Sequence, residues 1–523
     1  MNNLVVIGSG IHGALTALYV EMLYSHKVKD YKVVYVNDGE AYSEITRISP
    51  PVILTLNQLG ISVTDLVRIA DATFFNGTKY TNFSGGGEYD SFMNSYQPTQ
   101  NIGVRSMHDE NQLFAYRGAF GQALATGEST DKSDLVARAS KLKRVGFTKN
   151  AGGFADEQTG DPFMLFNPLI EYGLNVKSKP TEEILLEVAR SRGVEVLEGS
   201  ISAYEENEEQ DVSKVVLDSG KSINSYFIVD VSGYGYTTWN DIFTDIEWID
   251  LSKNLPADSS IEFSMSGSKK IPAYTEITAM DYGYIWIAPL QNEYKGGYVY
   301  DSDFINSEEA KLEVEKTLGR KVEVSLEGSV EYGYVSSPLK NNILLAGNSA
   351  NVLENKEATD LWLLFVQLEI LFTRPEFVNA KSNKWEQHYS KMSSSVIEGT
   401  ASLLNFIYFG RGEYNEFWSK FNKLTATNVL QSLIEIMDWR TIDSRDISKI
   451  DSLFSLESYY YVGMGIKYRP LVESMKKSIQ DNIYLISSKD DYDLLKAQQA
   501  EVAARSLMDH RALIEELGGS SWT

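Results

Sequence analysis

The chain contains no cysteine. That excludes disulfides, thiolate nucleophiles and Cys-ligated zinc or iron–sulfur centres. Histidine is nearly as scarce, with five in 523 residues, and no His-x-His or His-x-x-x-His spacing offers a metal seat. Positive charge is in deficit: 48 Lys and Arg stand against 72 Asp and Glu, a net charge of −24. A field of that sign repels phosphodiester backbones and anionic bilayers, so neither nucleic acid nor membrane is an expected partner. No apolar run reaches the ~18 residues that cross a bilayer. The N-terminus enters a strand within four residues, without the basic and long apolar regions of a secretory leader. The expectation is a soluble, cytoplasmic protein.

Aromatic residues, by contrast, are plentiful, at 12% of the chain with 31 Tyr and 8 Trp. The first apolar run, Leu4–Gly8, is followed by Gly8-Ser9-Gly10-Ile11-His12-Gly13 and a helix-period stretch to about Tyr24. A second strand, Lys32–Val36, ends at Asn37 and Asp38. A strand, a glycine turn, a helix and a second strand with a late acid are the context that a dinucleotide fingerprint requires. Gly8 opens the turn, Gly10 lets the backbone approach a pyrophosphate, and Gly13 lets helix and strand pack closely. Ile11 and His12 sit where the helix N-terminus faces the phosphates, with His12 read as structural rather than catalytic. Asn37 or Asp38 is the candidate for a ribose hydroxyl.

Further along, 181–199 reads as a helix then a strand, and 226–235 as a buried strand ending in Asp230, Ser232 and Gly233. Residues 341–350 (NNILLAGNSA) form another apolar strand, running into Gly347-Asn348. A late strand-to-turn of this kind commonly contacts flavin ribityl and phosphate groups, which puts FAD ahead of NAD as the expected cofactor. Between these elements lie β-rich, aromatic stretches such as 283–290 and 296–302, which suggest an antiparallel sheet inserted into the nucleotide fold. From about Ser393 the pattern turns helical to near the C-terminus.

Three segments resemble the flavin-dependent halogenases, the tryptophan-halogenase-like group. Tyr274-Thr275 followed by Gly283-Tyr284-Ile285-Trp286-Ile287-Ala288-Pro289 is similar to that family's GWxWxIP signature. Gly297-Tyr298-Val299-Tyr300-Asp301-Ser302 resembles the strand that follows it. GNSANVLENKEAT, 347–359, is similar without a gap to G-x-A-x-G-F-x-E-P-L-E-S-T. Here Asn355 stands for Pro, Lys356 for Leu and Ala358 for Ser, and Asp360 follows where Gly is usual. ATFFNGTKYTNF, 72–83, resembles the catalytic-lysine strand. A gapless alignment puts Phe75 in the lysine's place. Lys79 is the only lysine of the segment and, four residues on, would share that face of a strand.

The resemblance implies an α/β fold: an FAD-binding, doubly wound module of the monooxygenase-like GR2 type, with an inserted antiparallel β-sheet and a C-terminal helical region. The boundaries expected are 1–392 for the FAD module, with the inserted sheet at about 72–165 and 255–335, and 393–523 for the helices. Lys79 and Glu357 would be catalytic. Gly8, Gly10, Ile11, His12, Gly13, Asn37, Asp38, Gly347 and Asn348 would hold the cofactor. Thr359 and Asp360 would contact halide. Trp286, Pro289, Asp90, Phe92 and Tyr460 would line the tunnel and substrate cavity, Asp90 and Phe92 matching the family's YHxF with Asp for His.

The implied reaction uses FADH2, delivered by a separate NAD(P)H flavin reductase, with O2 and halide as co-substrates. Hypohalous acid made there travels down the tunnel to Lys79, which delivers electrophilic halogen to a small electron-rich aromatic substrate. An aromatic hydroxylase of the same fold and a non-catalytic flavoprotein are the alternatives the residues leave open.

Overall fold

The structure is a computed structural model. It describes residues 2–24, 31–39, 43–85, 90–96, 135–149, 161–233, 242–243, 247–373, 383–412, 414–421, 425–481 and 504–522. Tyr89 of the Tyr-Asp-Ser-Phe stretch and residues 489–503 of the expected helical region lie outside those residues. The chain forms two compact units, each assembled from three separated segments.

The first unit comprises Met1–Ala70, Val176–Ser252 and Val330–Ile397. Its centre is a six-stranded sheet in the order Glu195–Glu198, Tyr31–Asn37, Asn2–Gly8, Phe227–Asp230, Ile343–Leu345, Leu339–Lys340. The first five strands run parallel, and only the last pair is antiparallel. Leu4, Val5, Val6 and Ile7 are all buried. A strand apolar on both faces is what a parallel sheet covered on both sides demands. The helix Gly10–Tyr24 follows the first strand directly. A methyl group on Gly13 would lie 2.5 Å from Tyr35 Oη and 2.9 Å from the Gly8 carbonyl carbon. No side chain fits there, so the helix rides against the strands. The doubly wound α/β module anticipated from the glycine turn is present.

The second unit comprises Asp71–Asn175, Lys253–Ser329 and Glu398–Thr523. It holds a seven-stranded sheet in the order Glu323–Ser329, Ser259–Ser266, Glu293–Tyr300, Gly283–Pro289, Thr275–Ala279, Gly77–Thr81, Ser91–Ser95. Neighbours are antiparallel except at one joint, where Thr275–Ala279 and Gly77–Thr81 run parallel. One face packs Ile261, Phe263, Ile285, Tyr298 and Tyr300 against Ala310 and Val314. Those last two lie on the helix Ser307–Leu318, which starts with an Asn306/Glu309 capping box. Helices Asn428–Met437, Leu456–Gly465 and Arg469–Asp481 belong to this unit.

The strand expected across 72–83 is in fact two. Thr73–Phe75 pairs with the chain at Gly173–Asn175, while Gly77–Thr81 joins the seven-stranded sheet. Asn76 makes the break: its side chain donates to Ser140 Oγ at 3.1 Å and to the Arg144 carbonyl at 3.0 Å. Phe75 and Lys79 therefore do not share one strand face. Phe75 is buried against Tyr96, with ring centroids 5.7 Å apart. Among the described residues, no single helix is long and apolar enough to cross a membrane.

Candidate functional site

At the end of the first strand, Gly10 adopts φ +59°, a left-handed conformation that suits glycine. The helix it opens carries no acidic residue in its first turn, so its positive end is left for an anion. Gly8 pairs in register with Asn37, and the Asp38 amide donates to the Gly8 carbonyl at 3.2 Å. The glycine turn and the acid are thus tied together. Burial, with the charge of Asp230 adding to it, pushes the Asp38 carboxyl up to about 6. Asp230 itself is buried and accepts from Ser232 N at 2.9 Å and from Ser349 Oγ at 2.9 Å. Ser349 Oγ also accepts from Gly233 N at 2.8 Å. Ser349 was not among the expected residues, yet it knits the second and third nucleotide-side turns together.

Gly347–Ser349 is one turn of 3₁₀ helix with Gly347 at φ +54°. The Gly347 amide is already taken by Gln367 Oε1 at 2.8 Å, and Gln367 in turn donates to Asn351 Oδ1 at 2.7 Å. Asn348, between two buried neighbours, is exposed. Of this pair, Asn348 rather than Gly347 has polar atoms open to a ligand.

His12 lies just inside the helix, and its Nε2 is 3.6 Å from Asp360 Oδ2. Neither that nitrogen nor Asp360 Oδ1 has a hydrogen-bond partner among the described residues. Burial lowers the pKa of His12, with the Asp360 charge opposing it. Two orphaned polar atoms beside a helix N-terminus, a carboxyl at the end of the second strand and a turn with no room for a Cβ at Gly8 or Gly13 all fit a flavin dinucleotide. Gly8, Gly10, Ile11, His12, Gly13, Asn37 and Asp38 would hold its pyrophosphate and ribose.

The loop 354–360 is charged and almost dry. Glu354, Lys356, Glu357 and Thr359 are all buried. Lys356 forms an ion pair with Glu354, and its carbonyl accepts from Arg47 Nη1 at 3.0 Å. Burial depresses the Lys356 pKa, and the charges of Glu354 and then Glu357 oppose that shift. Ala358 sits at φ +56°, a conformation costly for a residue with a Cβ. The turn that results lets Asn355 Oδ1 accept from the Thr359 amide at 3.0 Å. Thr359 then begins the helix Asp360–Phe372. The sequence departures in this loop are mutually supporting: Lys356 is neutralised by Glu354, and Asn355 secures the turn that Ala358 makes.

Lys79 lies in the second unit, on Gly77–Thr81. Its Nζ is 2.8 Å from Glu276 Oε1, which also accepts from Thr81 Oγ1 at 3.0 Å. The Tyr274 ring centre is 5.2 Å from the same Nζ. Lys143 approaches that ring to 5.1 Å and donates to its hydroxyl at 3.4 Å. Lys79 is a held lysine, not a free strand lysine pointing at solvent. Glu276 escaped the sequence reading because it lies 197 residues away.

The other expected residues of this unit fall into two groups. Trp286 is half-buried and pairs in register with Gly297, where a Cβ would sit 2.4 Å from its indole nitrogen. The Pro289 carbonyl accepts from Thr73 Oγ1 and Asn175 Nδ2. Phe92 is stacked on Tyr80 at 5.0 Å and packed against Gly465. Tyr460 is buried and donates to the Ile442 carbonyl. Asp90 caps the chain at Ser84, accepting from its amide at 2.9 Å and from its hydroxyl. Phe92, Tyr460 and Asp90 are thus buried and braced by protein contacts, whereas Trp286 is only half-buried.

A doubly wound module that suits FAD, joined in one chain to a large antiparallel sheet bearing a held lysine, defines a flavoprotein of the monooxygenase-like class. A profile of the tryptophan halogenase family matches residues 3–480, and the chain belongs to that family, whose members are FADH2-dependent enzymes using O2 and halide. It is 22% identical over 495 residues to the 7-chloro-L-tryptophan 6-halogenase KtzR of Kutzneria, covering 88% of this chain and 90% of that one. It is 29% identical over 177 residues to the protein y4xG of Sinorhizobium fredii, a match spanning 34% of each chain. In fold it is similar to the tryptophan 6-halogenase SttH of Streptomyces toxytricini. That likeness has a TM-score of 0.80 at 17% identity and covers 99% of this chain and 100% of that one.

Proposed function

We propose that this chain is an FADH2-dependent halogenase that passes hypohalous acid to Lys79 for electrophilic halogenation of a small, electron-rich aromatic compound. The observation that carries the reading is Lys79 itself. It is an ammonium oriented by Glu276 and flanked by Tyr274, in a chain of this family. When bound, FADH2 supplies, with O2, the oxidising power that turns halide into hypohalous acid. A separate NAD(P)H flavin reductase provides the reduced cofactor.

The residues divide the remaining work. The positive end of the helix Gly10–Tyr24 binds pyrophosphate and Asp38 binds ribose. Thr359 and Asp360 border the halide. Lys79 donates a hydrogen bond to the oxygen of hypohalous acid, so the aromatic carbon takes halogen as the halogen–oxygen bond breaks. Glu357 accepts the ring proton and passes it on to the departing hydroxide, which leaves as water. Lysine suits this task as a compact donor of three N–H groups.

The test is mass spectrometry of an electron-rich arene panel incubated with enzyme, FAD, a flavin reductase, NADH and O2, with catalase present. Chloride, bromide and iodide are supplied separately. Halogenated product that disappears in Lys79→Ala and Glu357→Gln, with FAD binding intact, is the expected result. Hydroxylated product formed without halide would replace this reading with a monooxygenase.

A further inference from the structure

Among the described residues, the one parallel joint in the seven-stranded sheet is the one that carries Lys79, and there Glu276 is its register partner. Register partners on one sheet face bring their side chains alongside each other. The carboxylate does not simply meet the lysine. Thr81, two residues along on the same face, donates to the same Oε1 at 3.0 Å. The Tyr274 ring centre lies 5.2 Å from the same ammonium, and its hydroxyl accepts from Lys143 at 3.4 Å. Lys79 and Glu276 side chains are 27% and 29% exposed. At that exposure an ion pair adds little to stability, on the order of 0–1 kcal/mol. Its consequence is geometric: a long, flexible side chain is confined to one place.

We propose that Glu276, pinned by Thr81, is the positioning residue for Lys79, and that it commits Lys79 to act as a hydrogen-bonding ammonium. The proposal rests on the reading of Lys79 as the lysine that receives hypohalous acid. Glu276 engages the ammonium, and in the proposed reaction the same ammonium donates to the oxygen of hypohalous acid. Forming a haloamine instead would require Lys79 to give up a proton and leave its carboxylate. In the committed route the ring carbon–halogen bond forms, the halogen–oxygen bond breaks, and the hydroxyl leaves with the ring proton as water. Misplacing the donor by about 1 Å is enough to cost ~100-fold in rate.

The experiment compares the full-length wild type with Glu276→Ala, the isosteric Glu276→Gln and Thr81→Val. Thermal unfolding and FAD binding of each are checked first. Competitive amine labelling, read by peptide mass spectrometry with the other lysines as internal references, reports the freedom of Lys79. Steady-state halogenation, with a scavenger for escaped hypohalous acid, reports coupling.

Glu276→Ala is expected to label faster at Lys79 and to lose at least ~10-fold in kcat, about 1.4 kcal/mol of barrier. Halide KM stays unchanged while more hypohalous acid escapes. Glu276→Gln, which keeps a hydrogen-bonding oxygen, and Thr81→Val are expected to fall between. Unchanged Lys79 labelling in Glu276→Ala would overturn the proposal and leave the functional reading standing. Faster labelling with unchanged kcat and coupling would overturn it as well. A wild type that halogenates no arene would remove the functional reading, and the catalytic role of Glu276 with it.

Discussion

Lys356 and Glu354 form an ion pair with both side chains fully withdrawn from solvent, one residue away from Glu357. Removing one partner of a buried pair strands the other charge, at a cost of ~3–5 kcal/mol. Glu354→Gln is therefore expected to lower stability by about that amount in chemical denaturation. The double variant Glu354→Gln/Lys356→Leu, which removes both charges, should recover most of the loss. If the single and double variants unfold alike, the pair is not what stabilises the loop. Halogenation should follow stability only in part, because the charge of Lys356 also acts on Glu357.

Asp38 gives a pH dependence that belongs to cofactor binding. Its carboxyl titrates at about 6 because it is partly buried and Asp230 is nearby. Above that pH it is an acceptor for a ribose hydroxyl; below it the group is neutral and accepts less strongly. FAD affinity, read by quenching of flavin fluorescence, is expected to weaken as pH falls through about 6. In Asp38→Asn the affinity should be lower and the step absent. A step that persists in the variant would assign it to another group.

His510 gives a pH dependence of stability with a defined sign. The Phe74 amide donates to its Nε2 at 2.9 Å, and burial, then the Arg511 charge, pushes its pKa down to about 3. The unfolded chain protonates this imidazole near 6.5 whereas the folded chain resists, so the unfolded state binds more protons between these values. The contribution is complete above about 6.5 and is lost as pH falls towards about 3, at ~1.4 kcal/mol per pH unit. Denaturation of the wild type and His510→Gln at pH 7.5 and pH 5.5 checks this. The variant should be the less stable at pH 7.5, and the gap should narrow by roughly 1.4 kcal/mol at the lower pH. A gap that does not change with pH would show that the histidine is not held neutral.

The parts of this molecule that were legible in its sequence are those specified over short distances. The strand–turn–helix–strand unit ending at Asp38 is encoded within 38 consecutive residues, and Gly8 and Gly13 sit where no Cβ fits. The Trp286 and Tyr298 strands were legible because alternation and aromatic content mark them locally. What escaped depends on distant partners. The break at Asn76 exists because Ser140 and Arg144 receive its side chain. The parallel joint that brings Glu276 to Lys79 is a matter of sheet order, which no local pattern records. Lys356 looked like a departure from a loop motif, and only packing shows that Glu354 balances it.

Trp286 and Gly297 offer a test of whether the aromatic segment is shaped for function as well as for packing. The two are register partners, and a methyl group on Gly297 would lie 2.4 to 2.8 Å from three atoms of the indole. Gly297→Ala must therefore displace Trp286 or shift the strand, at a cost of ~1–3 kcal/mol. Trp286→Phe alone leaves a gap and should cost a similar amount. Together the two changes should cost less than their sum, because the smaller ring makes room for the methyl. Denaturation of all four proteins gives the coupling directly. Product yield per hypohalous acid released, measured alongside, separates the two roles. If the double variant regains stability but still leaks oxidant, the indole confines the oxidant; if both recover together, Trp286 serves packing alone.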